Sequence, residues 1–409
     1  MFDVGALRMR VAINGIGIAG PTLAYWLRAF GHDPVLFEKA PTLRRGGYII
    51  DFWGLGYEIA ERMGILDSLR QAGYAMRRLQ LLDARGREVA ALDLEPLRDA
   101  LHGRFISLAR ADLAATIFGA CAGVRSHFGL SIDGIDQRED EVIATLSDGT
   151  RESFDLVIGA DGLHSRVREL EFGPRASFES ELGAYVAAFH TRGYPQREEL
   201  TYVSHTAKKR HIARVSLRDD DTLVMLVCTA DVLGGEPPRA EERAALRRTF
   251  AGLGWEAPQI LGRMQRTDDL YFDRVSQIHM PKWWSRRVAL IGDAAACPSL
   301  LAGEGTGLAM IEAYVLAGEL SRAGGDFTRA FETYDARLRD FVTAKQKGAR
   351  GFLGFFAPKT RLGLAFRTLA VKALSIPFIA RRFLARSVQD RLDLPDYGHR
   401  ADGPAAAAQ

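Results

Sequence analysis

The chain has 409 residues, of which 26% are charged and 47% apolar, and its net charge is +3. That length predicts two interlocked domains with an appendage, and the small, dispersed charge excludes nucleic acid as the expected partner. Cys121, Cys228 and Cys297 have no metal-site spacing and cannot all pair, and neither a secretory pattern nor a bilayer-length apolar run occurs. A cytoplasmic protein without a metal is therefore expected.

Residues 11–14 read as a buried strand. They lead into Gly15-x-Gly17-x-Ala19-Gly20, a helical run over 21–30 and a second strand over 33–37 that ends on Glu38 and Lys39. This is the pattern of a βαβ dinucleotide site. Gly15 permits the tight turn, Gly17 lets backbone approach a pyrophosphate, and Gly20 allows helix and strand to pack. Free N–H groups at the helix start would meet negative charge, and Glu38 would accept from a ribose. The basic loop Arg44-Arg45-Gly46-Gly47 either covers the nucleotide or is solvated surface.

A helix over 55–63 with Gly64 as its cap follows, then a hairpin over 79–82 and 88–92, an excursion from the nucleotide sheet. Ser107 opens another expected helix that runs through Phe118. Arg110 lies near its start, where the backbone dipole prefers an anion, so it reads either as a phosphate or flavin contact or as the partner of a carboxylate. Strands over 142–146 and 154–158 flank Asp148-Gly149, and the second enters Gly159-Ala160-Asp161-Gly162. Residues 179–274 change to antiparallel strands (185–190, 200–203, 211–217, 222–229) followed by a surface helix over 239–250. Tyr185, Phe189, His190, His211, Arg214 and Met225 are the candidates for an apolar pocket there. A period of two says which of them share a face, not which face is the pocket.

Residues 287–291 repeat the opening logic: a strand, the turn Gly292-Asp293, then Gly303-Glu304-Gly305-Thr306-Gly307 and a helix from Leu308 to about 320. Cys297 reads as a small apolar filler, since no nearby histidine would activate it. A long helix covers 327–350. Beyond it, Phe and Leu residues interleave with Lys and Arg, which suits either helices docked across the substrate mouth or a membrane-surface contact.

Gly15-x-Gly17-x-x-Gly20 with Glu38, Gly159-Ala-Asp161-Gly162, and Gly292-Asp293-Ala-Ala with Gly303-x-Gly305 together resemble the class A FAD-dependent aromatic hydroxylases, which have the para-hydroxybenzoate hydroxylase fold. The similarity spans about residues 9–350. The opening and the 289–320 segment look most like the flavin monooxygenases that inactivate tetracyclines. The resemblance implies an α/β protein in which a Rossmann-like FAD-binding domain (1–78, 107–178, 275–350) is interleaved with an antiparallel-sheet substrate domain (79–106, 179–274). C-terminal helices (351–395) and a disordered end (396–409) complete it. Glu38 would hold the adenosine ribose, Arg110 the phosphate and ribityl region, and Asp293 the ribityl or pyrophosphate segment. Residues 303–308, including Gly307 and Leu308, would offer N–H groups to the flavin. Asp161-Gly162 would contact pyrophosphate and bear on NAD(P)H use, and Arg44 or Arg45 would lie on the flavin's path.

Ala296, Leu300 and Gly307 depart from the family's usual His, Pro and Asn. The implied chemistry is reduction of FAD by transiently docked NAD(P)H, capture of O2 as a flavin C4a-hydroperoxide, and oxygen transfer to an aromatic, polyketide-like or enolic molecule. The alternatives are an FAD-dependent reductase and a silent flavin-binding protein. The oligomeric state is left between monomer and homodimer.

Overall fold

Two sheets of different character divide the molecule, and the chain crosses between them more than once. The structure, a computed structural model, describes residues 8–44, 48–376, 378–379, 390 and 392–398. It opens with β1 (Arg10–Asn14), α1 (Ala19–Ala29) and β2 (Asp33–Glu38), and the crossover helix makes the two strands parallel neighbours. Next come β3 (Ile49–Trp53), α2 (Gly54–Arg62) and α3 (Leu66–Ala72). The hairpin β4 (Arg78–Leu82) and β5 (Glu88–Asp93) forms as expected, and α4 (Glu95–Ala100) follows it.

The helix expected from Ser107 starts three residues later. Residues 107–109 belong to β6 (Phe105–Ala109), whose alternation pairs antiparallel with β3, and α5 (Arg110–Gly119) begins only at Arg110. After β7 (Arg125–Phe128), β8 (Ile132–Gln137) and β9 (Val142–Leu146), the single strand expected over 154–158 proves to be two. β10 (Arg151–Phe154) closes a small antiparallel sheet, whereas β11 (Leu156–Gly159) enters the parallel one. Asp155 makes the break, because its carboxylate and its N–H both bond to the Arg10 backbone, at 2.6 and 2.9 Å.

α6 (Arg166–Phe172) leads to β12 (Glu179–Arg192), β13 (Thr201–Ala207), β14 (Arg210–Ser216) and β15 (Asp221–Thr229). Then come α7 (Ala230–Leu233), α8 (Glu242–Phe250), α9 (Ala257–Met264) and β16 (Leu270–Ile278), an additional strand that crosses the expected boundary at 274. The chain ends with β17 (Trp284–Ser285), β18 (Val288–Leu290), α10 (Asp293–Ala296), α11 (Gly305–Arg322), α12 (Phe327–Phe356) and α13 (Arg361–Leu374).

Six strands in the order β17-β18-β11-β1-β2-β7 make a sheet that is parallel except at the β17 edge. The second sheet runs β16-β12-β15-β14-β13-β4-β5, so the early hairpin completes a sheet built mainly from residues far along the chain. The largest core lies around the parallel sheet, α1 and α11. A separate core fills the space between the outer face of the seven-stranded sheet and α8–α9. Its inner face is covered by the end of α12 and by α13. The end of the chain returns across the nucleotide half: Asp390 accepts from Leu55 N–H at 2.9 Å, and Tyr397 donates to Glu319 at 2.7 Å. Tyr397, in the stretch expected to be disordered, is therefore held in place, while 399–409 lie outside the described residues.

Candidate functional site

β1, β11 and β18 are adjacent parallel strands, so the three glycine-bearing turns that follow them meet at one sheet edge. Between them lies a cleft of about 850 Å³, its open mouth included. Gly17, Ala19, Arg110, Gly162, Asp293, Gly303, Gly305 and Thr306 all line it.

The first three glycines are needed for different reasons. Gly15 has φ +114°, and a Cβ there would lie 2.4 Å from the Ala160 carbonyl oxygen. A Cβ on Gly20 would lie 2.0 Å from the Gly15 carbonyl oxygen. The fold itself forbids side chains at both places. A Cβ on Gly17 would meet only the Arg110 guanidinium, 3.7 Å away, so the polypeptide leaves that space free for something else. Glu38, at the end of β2, accepts from Ile16 N–H and Ala40 N–H at 3.0 Å each, which fixes its carboxylate beside the first turn. Lys39 is exposed, as is Arg44, and Arg45 falls outside the described residues.

Asp161 is occupied by the fold. Its carboxylate accepts from Asn14 Nδ2 (3.0 Å), Arg166 N–H (2.8 Å), Val167 N–H (3.1 Å) and the Ser165 hydroxyl, which binds the turn to the start of α6. Arg168, wholly buried, spans two of the turns by donating to the carbonyls of Ala294 (3.0 Å) and Leu163 (2.7 Å). The sequence places Arg168 just after the Gly159–Gly162 turn but does not show this clamp.

Arg110 begins α5, its N–H held by the Tyr48 carbonyl at 3.1 Å. Among the described residues its guanidinium makes no ion pair, although it acts electrostatically on Asp293. Burial raises the Asp293 carboxyl above its ordinary range, and Arg110 opposes that rise. Burial and Asp293 push the Cys297 thiol well up, so it stays protonated and unreactive. Ser299 has φ +123° and a buried hydroxyl with no hydrogen-bond partner among the described residues, and it faces the cleft. Tyr48 and Tyr271, neither a sequence candidate, form part of the wall with ring centroids 6.3 Å apart.

Gly307 and Leu308 line a neighbouring recess of about 350 Å³ instead, with Asp51, Trp53 and Lys345. A Cβ on Gly56 would sit 2.7 Å from the Gly307 Cα, so α2 and α11 touch backbone to backbone where the family's usual Asn would stand.

The pocket candidates separate by face. Tyr185 stacks on Phe272 at 5.5 Å and packs with Phe189 under α8–α9. Arg214 is paired there with Glu256 (2.6 Å) and Glu198 (2.6 Å). These three lie on the sheet face away from the cleft, which corrects their candidacy: alternation puts them on one surface, and the helical layer covers that surface. His190 pairs with Asp221 at 2.6 Å at the sheet end and does not line the cleft. Met225 and His211 face inward. Met225 packs near Leu300, Leu353, Phe356 and Tyr271. His211 lies between the Tyr202 hydroxyl (3.0 Å) and Thr206 Oγ1 (2.6 Å), and burial holds it well below the usual histidine range and hence neutral.

An extended phosphate-bearing cofactor suits this cleft: it has open backbone at Gly17 and, among the described residues, a cation in no ion pair at Arg110 and an orphaned hydroxyl at Ser299. Residues 8–346 match the family described as FAD binding domain. A flavin-dependent monooxygenase of Legionella longbeachae serogroup 1 (strain NSW150) is 36% identical over 344 residues, covering 83% of this chain and 87% of the relative. The crystal structure of tetracycline destructase Tet(51) aligns with a TM-score of 0.80 at 32% identity, covering 96% of this chain and 99% of that one. Klebsiella pneumoniae HpxO, complexed with FAD and uric acid, aligns with a TM-score of 0.76 at 21% identity, covering 94% and 99%.

Proposed function

Since the chain belongs to the class A flavin-dependent aromatic hydroxylases, a family of FAD monooxygenases, we propose that it uses NAD(P)H and O2 to hydroxylate an aromatic, polyketide-like or enolic small molecule. The likeness to Tet(51) brings tetracycline-type compounds into that range. The observation that carries the reading is the convergence of three distant glycine turns on one cleft whose far wall is the seven-stranded sheet.

In this reading the backbone at Gly17 and the start of α1 take the FAD pyrophosphate with Arg110, and Glu38 takes the adenosine ribose. Asp293 would take the ribityl chain, and N–H groups at the start of α11 would serve the flavin ring. When bound, FAD would supply the redox chemistry that links oxidation of NAD(P)H to insertion of one oxygen atom of O2 into the substrate, the other leaving as water. The protein's task is to hold the substrate ring beside the flavin and keep water out. Met225, Leu300, Leu353 and Phe356 form an apolar cluster on the inner sheet face that suits this task.

The direct test is to identify the flavin released from purified protein, then to follow substrate-stimulated NAD(P)H oxidation across a phenol and polyketide panel by mass spectrometry. A product heavier by one oxygen atom is expected. Protein that neither releases nor takes up FAD while folded would end the reading.

Arg110→Ala should weaken FAD binding about tenfold or more, the effect of losing a charge-assisted phosphate contact worth on the order of 1.5–3 kcal/mol. The melting temperature of the FAD-free protein should stay unchanged, since no ion pair among the described residues is lost. Fluorescence titration checks both, and wild-type affinity in the variant would move Arg110 off the phosphates.

A further inference from the structure

α13 is a helix with two apolar faces. Leu362, Phe366 and Leu369 point outward and are 83, 73 and 64% exposed. Four residues apart on the opposite side, Arg367 and Val371 are buried. Val371 packs on Leu81 and Ala90 of the β4–β5 hairpin, as a docked helix should. Arg367 is a different matter: it is a cation only 5% exposed.

Among the described residues the Arg367 guanidinium has no ion pair, and its Nε and Nη2 have no hydrogen-bond acceptor. It lies over the Phe355 ring at 4.6 Å. The titratable groups that interact with it are the Tyr202 phenol and the His211 imidazole, both on the inner face of the seven-stranded sheet. Neither compensates its charge. His211 is neutral, burial pushes the Tyr202 phenol up, and burial lowers Arg367 itself only to about 10, so it remains positive at neutral pH. A buried charge left unpaired is among the costliest arrangements a fold can hold, and such a group ordinarily has its anion. Arg367 does not line the glycine-turn cleft, so a cofactor phosphate is not that anion. Tyr202 packs against the same buried cluster, which includes Ala188 and Val215, as Tyr48 and Tyr271 of the cleft's wall.

We infer that Arg367 anchors an anionic oxygen of the substrate, an enolate, phenolate or carboxylate on a planar ring, between α13 and the inner face of β13–β14. The inference deepens the oxygenation reading and rests on it for placing substrate on this side of the cleft. It also fits the chemistry. A ring bearing an ionised oxygen is the electron-rich form that accepts an oxygen atom, and a fixed guanidinium selects that form.

The test uses FAD-loaded, oxidised protein without NAD(P)H and two probes of nearly the same shape. One is 2-hydroxy-1,4-naphthoquinone, an enolate at neutral pH, and the other its uncharged 2-methoxy ether, both titrated by calorimetry. The wild type should bind the enolate about tenfold or more tighter than the ether. Arg367→Met should abolish that preference while leaving ether affinity within about twofold, and Arg367→Lys should restore part of it. The ligand-free Arg367→Met protein should melt no lower than wild type, because an unpaired charge has been exchanged for an apolar chain. Arg367→Gln provides the same comparison if the Met variant does not fold. An enolate that binds no tighter than the ether, or not at all, overturns the inference, and so does a preference that survives loss of the charge. Oxygenation without the preference would sink this inference alone. The preference without oxygenation would sink the monooxygenase reading and leave the anion site standing.

Discussion

Gly17→Val is expected to give a folded protein that no longer holds FAD. The expectation rests on the unequal surroundings of the three glycines in the first turn. A Cβ at Gly17 meets only the end of the flexible Arg110 chain, at ordinary contact distance, so the variant is expected to fold with a stability change of about 0.5 kcal/mol. The two methyl groups of Val would nevertheless fill the space that the proposed binding mode gives to the pyrophosphate. The resulting overpacking costs on the order of 3 kcal/mol, about a hundredfold in affinity. Gly20→Ala is the contrasting control. Its Cβ would lie 2.0 Å from backbone that cannot move away, so that variant should lose stability first and cofactor only as a consequence. Thermal melting of FAD-free protein and a flavin fluorescence titration separate the two. Normal FAD affinity in folded Gly17→Val would put the pyrophosphate elsewhere.

The same contrast shows where the sequence was informative. Glycines at fixed intervals after an apolar run announce a turn that must be bare. The parallel order β18-β11-β1 then brings three such turns together, although nothing local in the chain states that order. Strand alternation puts Tyr185 and Phe189 on one face and leaves its direction open, because both faces of the seven-stranded sheet are covered, one by α8–α9 and the other by α12–α13. Asp161 looked like a ligand contact since it sits between glycines, yet four hydrogen bonds commit it to the turn. Arg168 and Arg367 were indistinguishable from surface arginines in sequence. Their burial is a tertiary fact, and only the structure reveals that Arg168 places both terminal nitrogens on carbonyls, leaving Nε alone, while among the described residues Arg367 has neither an ion pair nor an acceptor for Nε and Nη2.

A second large effect is expected at Glu312, which lies on α11 beneath the Gly292–Asp293 turn and is 1% exposed. Its Oε2 accepts from Gly292 N–H and, at 3.4 Å, from the Tyr334 hydroxyl, while its Oε1 has no partner among the described residues. Burial raises its pKa from 4.5 to about 8, with the nearby Asp293 adding to the rise, so the acid is largely neutral in the folded protein at pH 7. The unfolded chain ionises near 4.5, so the protonated form favours the fold. Stability from this group is therefore complete below pH 4.5, falls by about 1.4 kcal/mol for each pH unit up to about 8, and then levels off. Glu312→Gln keeps an acceptor for Gly292 N–H and never ionises. It should match wild type near pH 4.5 and gain on the order of 3–5 kcal/mol over it by pH 8 to 9. Denaturant unfolding of both FAD-loaded proteins across pH 5 to 9 measures the difference. A gap that stays constant with pH, or a Gln variant weaker throughout, would mean that Glu312 is ionised in the folded protein. The cofactor turn would then rest on a buried negative charge beside Asp293 instead of on a neutral acid.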